Sequence, residues 1–418
     1  MSGYLGRFAD IILGRRLRDA GAVLIQGAKG CGKTETAARA AGSSVRLDVD
    51  AEARMRMELD PGSVLEGAVP RLLDEWQEYP ELWSHVRREV DGRKLKGQFI
   101  LTGSANPEER ARLHSGAGRF SVMRMRPMSL FERGWSTGEV GLADLVRGKA
   151  PASGSVDFSL EQLAERLTFG GWPGLLGAGG AGEALRFVQD YVALLAEVDV
   201  SRVGDKRRDP RKVTRLLQSL ARNVSTEASM TTLAKDTAGS GAPISDETIA
   251  EYLDALERLM VLERLPAWTT HIRCADTLRK APKHHFVDPS LAIGALGLSP
   301  EKLLADIRYM GFLFEAQVIR DLRIYAEAND GRVFHYRDSR NMEIDAVVEY
   351  PDGAWAAFEV KMGFAAQDEA AAALLKFAAK VNQEKAGAPA ALTVITANGF
   401  ACRRKDGVNV VPLPVFTA

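Results

Sequence analysis

The sequence has few cysteines and no long apolar run. Its 418 residues include only 3 cysteines (Cys31, Cys274 and Cys402), which are widely separated and lack metal-ligand spacing. This argues against a disulfide framework and a structural zinc, and it suits a reducing compartment. No stretch approaches the roughly 18 consecutive apolar residues of a membrane span, and Tyr4–Gly14 does not resemble a signal peptide. We therefore expect a cytoplasmic protein without a membrane partner.

The chain also lacks an excess of charge of either sign. Lys+Arg and Asp+Glu both number 55, so the formal net charge is zero. No global positive field indicates nucleic-acid binding, and such a site would have to be a local patch. A chain of this length exceeds one ordinary core and predicts two or three domains.

Short apolar runs alternate with helical patterns near the N-terminus. Strands are predicted at Ala22–Gln26, Ser44–Val49, Val69–Leu73 and Gln98–Thr102, with a helix at Lys33–Ala41. This alternation is typical of an α/β fold whose parallel sheet is covered on both faces. We assign this domain to residues 1–140, with a linker or exposed excursion from Gly134 to Val156.

The middle of the chain is mainly helical. Met230–Ala238 and Ser245–Val261 predict a helix–turn–helix, and Leu262–Trp268 predicts a strand that would complete a winged-helix-like unit. The second helix is too acidic to lie against DNA phosphates, which favours a structural or protein-contact role. The best basic patch is the segment Arg202–Lys212, although an ordinary solvated loop explains it more simply. This domain is assigned to residues 157–300.

The last domain, residues 301–418, returns to an α/β pattern. Its predicted elements are a helix at Gly311–Tyr325, strands at Arg332–Asp338, Met342–Glu349 and Ala354–Lys361, a helix at Gln367–Lys380 and a strand at Ala391–Thr396. The turn Pro351–Gly353 predicts that the second and third strands form a hairpin.

One motif dominates the N-terminal domain. Gly27–Thr34 (GAKGCGKT) matches the P-loop pattern G-x-x-x-x-G-K-[ST] and lies between a predicted strand and a predicted helix. Gly27, Gly30 and Gly32 let backbone N–H groups surround phosphates, while Lys33 reaches the β- and γ-phosphates and Thr34 ligates Mg²⁺. The sequence therefore predicts a site for ATP and Mg²⁺.

Two acids follow the third predicted strand. Asp74 is expected to hold Mg²⁺ at the strand end, and Glu75 to orient or deprotonate the attacking water. Two acids after two leucines also occur on surface loops, and Pro70 is awkward in a strand. The next strand leads to Ser104 and Asn106, which are either γ-phosphate sensors or residues of a helix cap.

Charge in the transition state calls for an arginine, supplied in cis or by a neighbouring subunit. Arg119 is the best candidate, ahead of Arg124 and Arg126. Each of these alone is more simply a surface arginine. An arginine supplied by a neighbour would imply a dimer or a ring.

Two carboxylates and a lysine lie on the predicted C-terminal hairpin. Period-two alternation puts Glu359 and Lys361 on one face, and a suitable register sets Asp345 opposite them. Two carboxylates and a carbonyl can bind Mg²⁺ or Mn²⁺, with the lysine positioning water or stabilising charge. The segment resembles the PD-(D/E)XK nucleases, and this resemblance adds Glu315 as the acid on the first core helix. A solvated strand face, or a nuclease fold without activity, remains the alternative.

Taken together, these motifs resemble a large family of uncharacterised prokaryotic AAA-type ATPases. The resemblance rests on Gly27–Thr34, Leu73–Gln77, Leu101–Ser104 and Arg126–Glu132, continued by Gly170–Pro173 and Asp288–Leu291. It implies a P-loop ATPase domain, a helical region and a restriction-endonuclease-like C-terminal domain, and it makes a homo-oligomer plausible.

Two functional hypotheses follow from these motifs. One hypothesis is an ATP-regulated nuclease acting on DNA. The other is an ATP-dependent switch that binds a protein or nucleic acid without cleaving it. A metabolic kinase is disfavoured, because Asp74 and Glu75 suit activation of water.

Overall fold

The computed structural model describes residues 3–103, 116–200, 203, 208–269, 282–338 and 342–418. Within these residues, no helix is long and apolar enough to cross a membrane.

The N-terminal part is a parallel five-stranded sheet in the order β2-β3-β4-β1-β5. Its strands are β1 (Ala22–Gln26), β2 (Ser43–Arg46), β3 (Arg71–Asp74), β4 (Phe99–Gly103) and β5 (Phe120–Arg124). Its helices are α1 (Phe8–Asp19), α2 (Lys33–Ala40), α3 (Ala51–Leu59) and α4 (Leu82–Arg93). Val23 and Ile25 pack in one apolar cluster and Ala22 and Leu24 in another. Both faces of the sheet are therefore covered, as the uninterrupted apolar runs predict.

Two details of this region correct the sequence-based prediction. The third strand begins at Arg71 rather than Val69, so Pro70 lies outside it and removes no hydrogen-bond donor from the ladder. The Gly134–Val156 excursion contains a two-residue strand β6 (Val140–Gly141) and a helix α5 (Leu142–Val146). Leu142 and Leu145 are fully buried, so this segment belongs to the core and is not a free linker.

The middle region is helical with a small antiparallel hairpin. Its helices are α6 (Leu160–Phe169), α7 (Ala181–Leu194), α8 (Pro210–Arg222), α9 (Met230–Ala238), α10 (Asp246–Arg258), α11 (Ser290–Leu296) and α12 (Pro300–Ala305). Strands β7 (Leu262–Leu265) and β8 (Lys283–Phe286) form the hairpin. The predicted helix–turn–helix is present as α9 and α10, with Ser245 capping α10 by accepting from the Thr248 N–H. The strand that follows begins at the predicted Leu262.

The C-terminal region is a six-stranded mixed sheet in the order β13-β14-β12-β11-β10-β9. Its elements are α13 (Ile307–Ala328), β9 (Arg332–Arg337), β10 (Glu343–Glu349), β11 (Trp355–Lys361), α14 (Gln367–Lys380), α15 (Gln383–Ala386), β12 (Ala391–Thr396), β13 (Cys402–Arg403), β14 (Asn409–Pro412) and β15 (Phe416–Thr417). β10 and β11 form the predicted antiparallel hairpin. β15 pairs with β6, which attaches the end of the chain to the excursion after the first sheet.

Candidate nucleotide site and C-terminal acid cluster

The P-loop lies between β1 and α2 at the carboxyl edge of the parallel sheet. Gly30 and Gly32 have φ values of 71° and 103°, which side chains other than glycine rarely adopt. A Cβ atom at Gly27 would lie 2.3 Å from the Met125 carbonyl oxygen. The glycines at these positions are therefore required by the backbone path.

The side chains of the predicted site meet at this edge. The Lys33 ammonium donates to the carbonyl oxygens of Gly27 and Ala28 at 2.9 and 3.0 Å. The Thr34 hydroxyl donates to Asp74 Oδ1 at 3.0 Å, although Asp74 is forty positions later in the chain. β4 lies between β1 and β3 in the sheet, and α2 brings Thr34 across to the end of β3. A hydroxyl and a carboxylate are suitable oxygen donors for Mg²⁺, which takes its other ligands from phosphates and water.

Thr102 is a site residue that sequence reasoning missed. Its buried hydroxyl donates to Asp74 Oδ1, the oxygen that Thr34 also contacts. Asp74 and Thr102 are register partners of the parallel strands β3 and β4, so a polar residue opposite Asp74 was the available signal. The predicted sensors Ser104 and Asn106 lie outside the described residues.

Glu75 follows Asp74 in an unusual backbone conformation. Its φ of 55° and ψ of 43° are left-handed, a region that costs a non-glycine residue about 1 kcal/mol or more. Its carboxylate accepts a hydrogen bond from the Gln77 side-chain amide. The half-buried carboxylate is thus held at the mouth of the site by the turn after β3.

A cavity of about 840 Å³ opens above the P-loop. Its walls carry five carboxylates and two ammonium groups: Glu35, Asp48, Glu75, Glu78, Asp199, Lys29 and Lys33. Pro173, Asp199, Val203 and Leu259 complete the wall from the middle region. An adjoining cavity of about 230 Å³ is lined by Tyr4, Leu5, Met128, Pro173 and Leu176, among others.

Arg7 supports the P-loop from outside the cavity. Its guanidinium donates to the carbonyl oxygens of Cys31 and Arg126 at 3.1 and 2.8 Å, and it pairs with Glu132 at 3.2 Å. Nothing in the local sequence identifies this role, because the contacts join Arg7 to residues 24 or more positions away, two of them more than a hundred.

The arginines predicted for catalysis lie elsewhere. Arg119 precedes β5, at the sheet edge opposite the P-loop, and its side chain pairs with Asp91 at 2.8 Å. Arg119 therefore lies away from the P-loop of its own chain, and its role as the transition-state arginine stays a prediction. Arg124 and Arg126 both bind Glu263, at 2.8 and 3.0 Å.

Glu263 joins three parts of the chain. This residue of β7 is 2% exposed and binds Arg124 at the end of β5, Arg126 just after it, and Arg323 on α13. Burial opposes ionisation of Glu263, but the charges of Arg126, Arg323 and Arg124 outweigh it and lower its pKa. The first sheet, the middle hairpin and the C-terminal helix are thereby connected by one buried ion-pair network.

The C-terminal hairpin brings Asp345, Glu359 and Lys361 together. Asp345 Oδ2 accepts from the Val360 N–H at 2.8 Å, and Lys361 pairs with Glu359 at 3.1 Å. Burial, followed by the charge of Asp345, raises the pKa of Glu359 to about 8. The same two causes raise the pKa of Glu315 on α13 well above its usual value. Glu315 therefore shares this environment, and the four residues form the C-terminal acid cluster.

Lys283 supplies a second ammonium group to the acid cluster. This residue of β8 is 3% exposed and pairs with Glu343 at 2.5 Å and with Glu315 at 3.9 Å. Among the described residues, no group of three or more His, Cys, Asp or Glu side chains is arranged to hold a metal ion. The cluster's metal role at Asp345, Glu359 and Glu315 stays a prediction.

The basic patch of the middle region lies partly outside the described residues, which include Arg208, Arg211 and Lys212. The Arg208 guanidinium points inward and donates to carbonyl oxygens, among them those of Val203 and Glu251. The Arg208 guanidinium is therefore engaged by backbone carbonyl groups and does not form an exposed anion-binding surface.

Comparison with known families agrees with the P-loop geometry. Residues 19–133 match a family described as an AAA domain, whereas residues 160–302 and 310–416 match domains of unknown function (DUF8612 and DUF4143). The N-terminal region is therefore a P-loop domain of the AAA type.

Two curated relatives cover most of the chain. An uncharacterised protein from Mycobacterium tuberculosis and one from Mycobacterium bovis are each 25% identical over 360 residues, 85% of this chain and 73% of theirs. Among solved structures, a Walker-type ATPase of Pyrococcus abyssi has 15% identity and a TM-score of 0.44 over 70% of this chain and 96% of its own. DnaA from Aquifex aeolicus, bound to AMPPCP, has 14% identity and a TM-score of 0.25 over 67% and 92%.

Proposed function

We propose that this protein binds and hydrolyses ATP at the P-loop and uses the nucleotide state to control its middle and C-terminal regions. The observation that carries the proposal is the convergence of Thr34, Asp74 and Thr102 beside Lys33 at one edge of a parallel sheet. A glycine-rich turn without a nucleotide role would not require a buried carboxylate from another strand at this point.

Each residue has a distinct role in the proposed reaction. The P-loop N–H groups and Lys33 bind the phosphates, and the side-chain oxygens of Thr34 and Asp74 would hold Mg²⁺. Bound Mg²⁺ would neutralise charge on the β- and γ-phosphate oxygens. Glu75 orients or deprotonates the attacking water. The adjoining cavity beside Tyr4, Met128 and Leu176 would receive the base, because it is partly apolar and continuous with the P-loop at Gly32.

Nucleotide binding and turnover test this proposal directly. Wild-type protein should bind a fluorescent ATP analogue in the presence of Mg²⁺ and release phosphate from ATP. Lys33→Ala should lose both, because it removes the charge that reaches the β- and γ-phosphates. Equal binding by the two proteins would contradict the proposal.

A metal-dependent nuclease activity on DNA is the second candidate. It is supported by Glu315, Asp345, Glu359 and Lys361 gathering at one end of the hairpin, with the pKa of Glu359 raised to about 8 by burial and Asp345. The alternative is a switch that binds a protein or nucleic acid without cleaving it. Lys283 favours this alternative, because its ammonium group already pairs with Glu343 and Glu315 of the cluster region.

A cleavage assay distinguishes the two readings. A nuclease would cut DNA only with Mg²⁺ or Mn²⁺ present, and Asp345→Ala and Lys361→Ala would abolish the cut. Cleavage that persists in both variants would come from a contaminant. Complete absence of cleavage, with and without ATP, would leave the switch as the better reading.

We further propose a homo-oligomer in which Arg119 of one chain approaches the nucleotide of the next. The exposed Arg119–Asp91 pair leaves this guanidinium accessible at the sheet edge. Size measurement with and without nucleotide tests this role, since a strict monomer with full turnover would exclude it.

A further inference from the structure

The end of α7 touches the P-loop through two separate contacts. The Tyr191 hydroxyl donates to the Lys29 carbonyl oxygen at 3.2 Å. The Lys29 ammonium pairs with Asp199 at 2.5 Å. Both partners belong to the middle region, and Lys29 is an internal residue of the P-loop. The middle region therefore contacts the loop through its backbone and through its side chain.

The helix has an irregular form where it makes these contacts. α7 continues without a break into a π-helical turn, Leu195–Asp199, and Asp199 is its last residue. π-Helical turns are rare and occur frequently at functional sites, because they redirect side chains at a cost in backbone stability. This irregularity is independent of the ion pair and points to the same residue.

Asp199 places a negative charge on the wall of the cavity above the P-loop, beside Lys29. The cavity wall already carries more carboxylates than ammonium groups, and Asp199 engages the Lys29 ammonium. A nucleotide entering the cavity must therefore compete with Asp199 for Lys29 and must also overcome repulsion from its carboxylate. The contact opposes the binding of phosphate.

We propose that Asp199 is a latch that holds the middle region on the nucleotide-free P-loop and sets the affinity for ATP. When the triphosphate binds, it takes over Lys29, and the end of α7 is released. This inference rests on the proposed ATP binding and adds how the nucleotide state reaches the rest of the chain.

Tyr191 connects the P-loop contact to the packing of the middle region. Burial raises the pKa of Tyr191, so its hydroxyl keeps the proton that it donates to Lys29. Its ring packs on Trp172 with centroids 4.8 Å apart, and the Trp172 indole N–H donates to Ser290 Oγ at 2.9 Å. Ser290 begins α11, which packs against α7. Release of Tyr191 would thus alter packing well beyond the P-loop.

Binding of a fluorescent ATP analogue to Asp199→Asn measures the latch. Asparagine keeps the shape and a hydrogen-bonding oxygen but removes the charge. The variant should bind about ten-fold more tightly than wild type, and the gain should shrink as salt is added. Asp199→Glu, which keeps the charge, should remain close to wild type. Asp48→Asn is the matched control, because it removes a carboxylate from the same cavity wall outside the Lys29 pair, and its gain should be about two-fold or less.

Hydrogen exchange supplies a second readout, because nucleotide-dependent release would change amide protection in the wild-type protein itself. In wild type, added MgATP should raise amide exchange in residues 191–200, whereas Asp199→Asn should show raised exchange before nucleotide is added. Unchanged or weaker nucleotide binding by Asp199→Asn would overturn the latch while leaving ATP binding intact. If wild type binds no more nucleotide than Lys33→Ala, the proposed function fails, and the latch fails with it.

Discussion

The P-loop and the C-terminal acid cluster differ in what their lysine side chains are paired with. Lys33 donates to backbone carbonyl oxygens, which carry no net charge, so its positive charge is retained for an anionic ligand. In the C-terminal cluster, Lys361 and Lys283 already pair with Glu359, Glu343 and Glu315. The first arrangement is prepared for a charged ligand, whereas the second is largely neutralised by the chain itself. This difference is why nucleotide binding is the stronger functional conclusion.

The two regions are connected through Glu263, and breaking that connection should have the largest effect. Glu263→Gln would leave three arginine side chains near Glu263 without their shared counter-charge. We expect the free energy of unfolding to fall by about 3–5 kcal/mol, the usual cost of removing one partner from a buried ion pair. Denaturant unfolding measures this loss.

The matched control for Glu263 lies on the adjacent helix. Glu257→Gln breaks the pair with Arg264, whose side chain is 54% exposed, and should cost about 1 kcal/mol or less. Similar losses in the two variants would show that burial does not set the strength of the Glu263 network.

Glu75 tests whether the P-loop region is a hydrolytic site as well as a binding site. Glu75→Gln should lower ATP turnover about 100-fold, because the amide cannot accept a proton from water. ATP affinity should change by less than about three-fold, because the Glu75 carboxylate is held by the Gln77 side-chain amide. It is not one of the groups proposed to bind the phosphates. Steady-state phosphate release and analogue binding separate the two quantities.

Glu78 is the control for that experiment. It lines the same cavity but is exposed, and Glu78→Gln should keep turnover within about two-fold of wild type. If Glu78→Gln lowers turnover as much as Glu75→Gln, then the general charge of the cavity, and not a specific base, supports hydrolysis.

The contrast between the two regions also explains what could be predicted from sequence. Lys33, Thr34 and Asp74 were predictable because a contiguous motif and a parallel strand end place them at one sheet edge. The hairpin of Asp345 and Glu359 followed from period-two alternation and a short turn. Lys283, Glu263 and Asp199 could not be found in this way, because their roles depend on packing between segments that are far apart in the chain. The position of Arg119 relative to the P-loop could not be predicted either, since an isolated arginine carries no signal of the direction in which its side chain lies.

Thr102 tests how firmly Asp74 is held beside the P-loop. Thr102→Val keeps the shape but removes the hydroxyl that donates to Asp74. The carboxylate then loses one of the two hydroxyl donors that hold it, and turnover should fall about ten-fold, equivalent to about 1.4 kcal/mol. Thr102→Ser restores the hydroxyl and should recover most of the activity. A serine variant as impaired as the valine variant would indicate a packing role for Thr102.

Glu359 tests, through the pH dependence of stability, whether the carboxyl groups of the C-terminal cluster are neutral in the folded protein. Its pKa rises from 4.5 in the unfolded chain to about 8 in the folded protein, through burial and the charge of Asp345. Between these values the folded state holds a proton that the unfolded state has released, so stability falls as pH rises through this window. Glu359→Gln removes that proton uptake, so it should match wild type near pH 4.5 and become progressively more stable than wild type as pH rises towards 8. Thermal unfolding across this range measures the slope, and Glu369→Gln on the exposed face of α14 should leave it unchanged. A wild-type stability that is flat between pH 4.5 and 8 would mean that Lys361 keeps Glu359 ionised, and the cluster would then be an ordinary set of ion pairs.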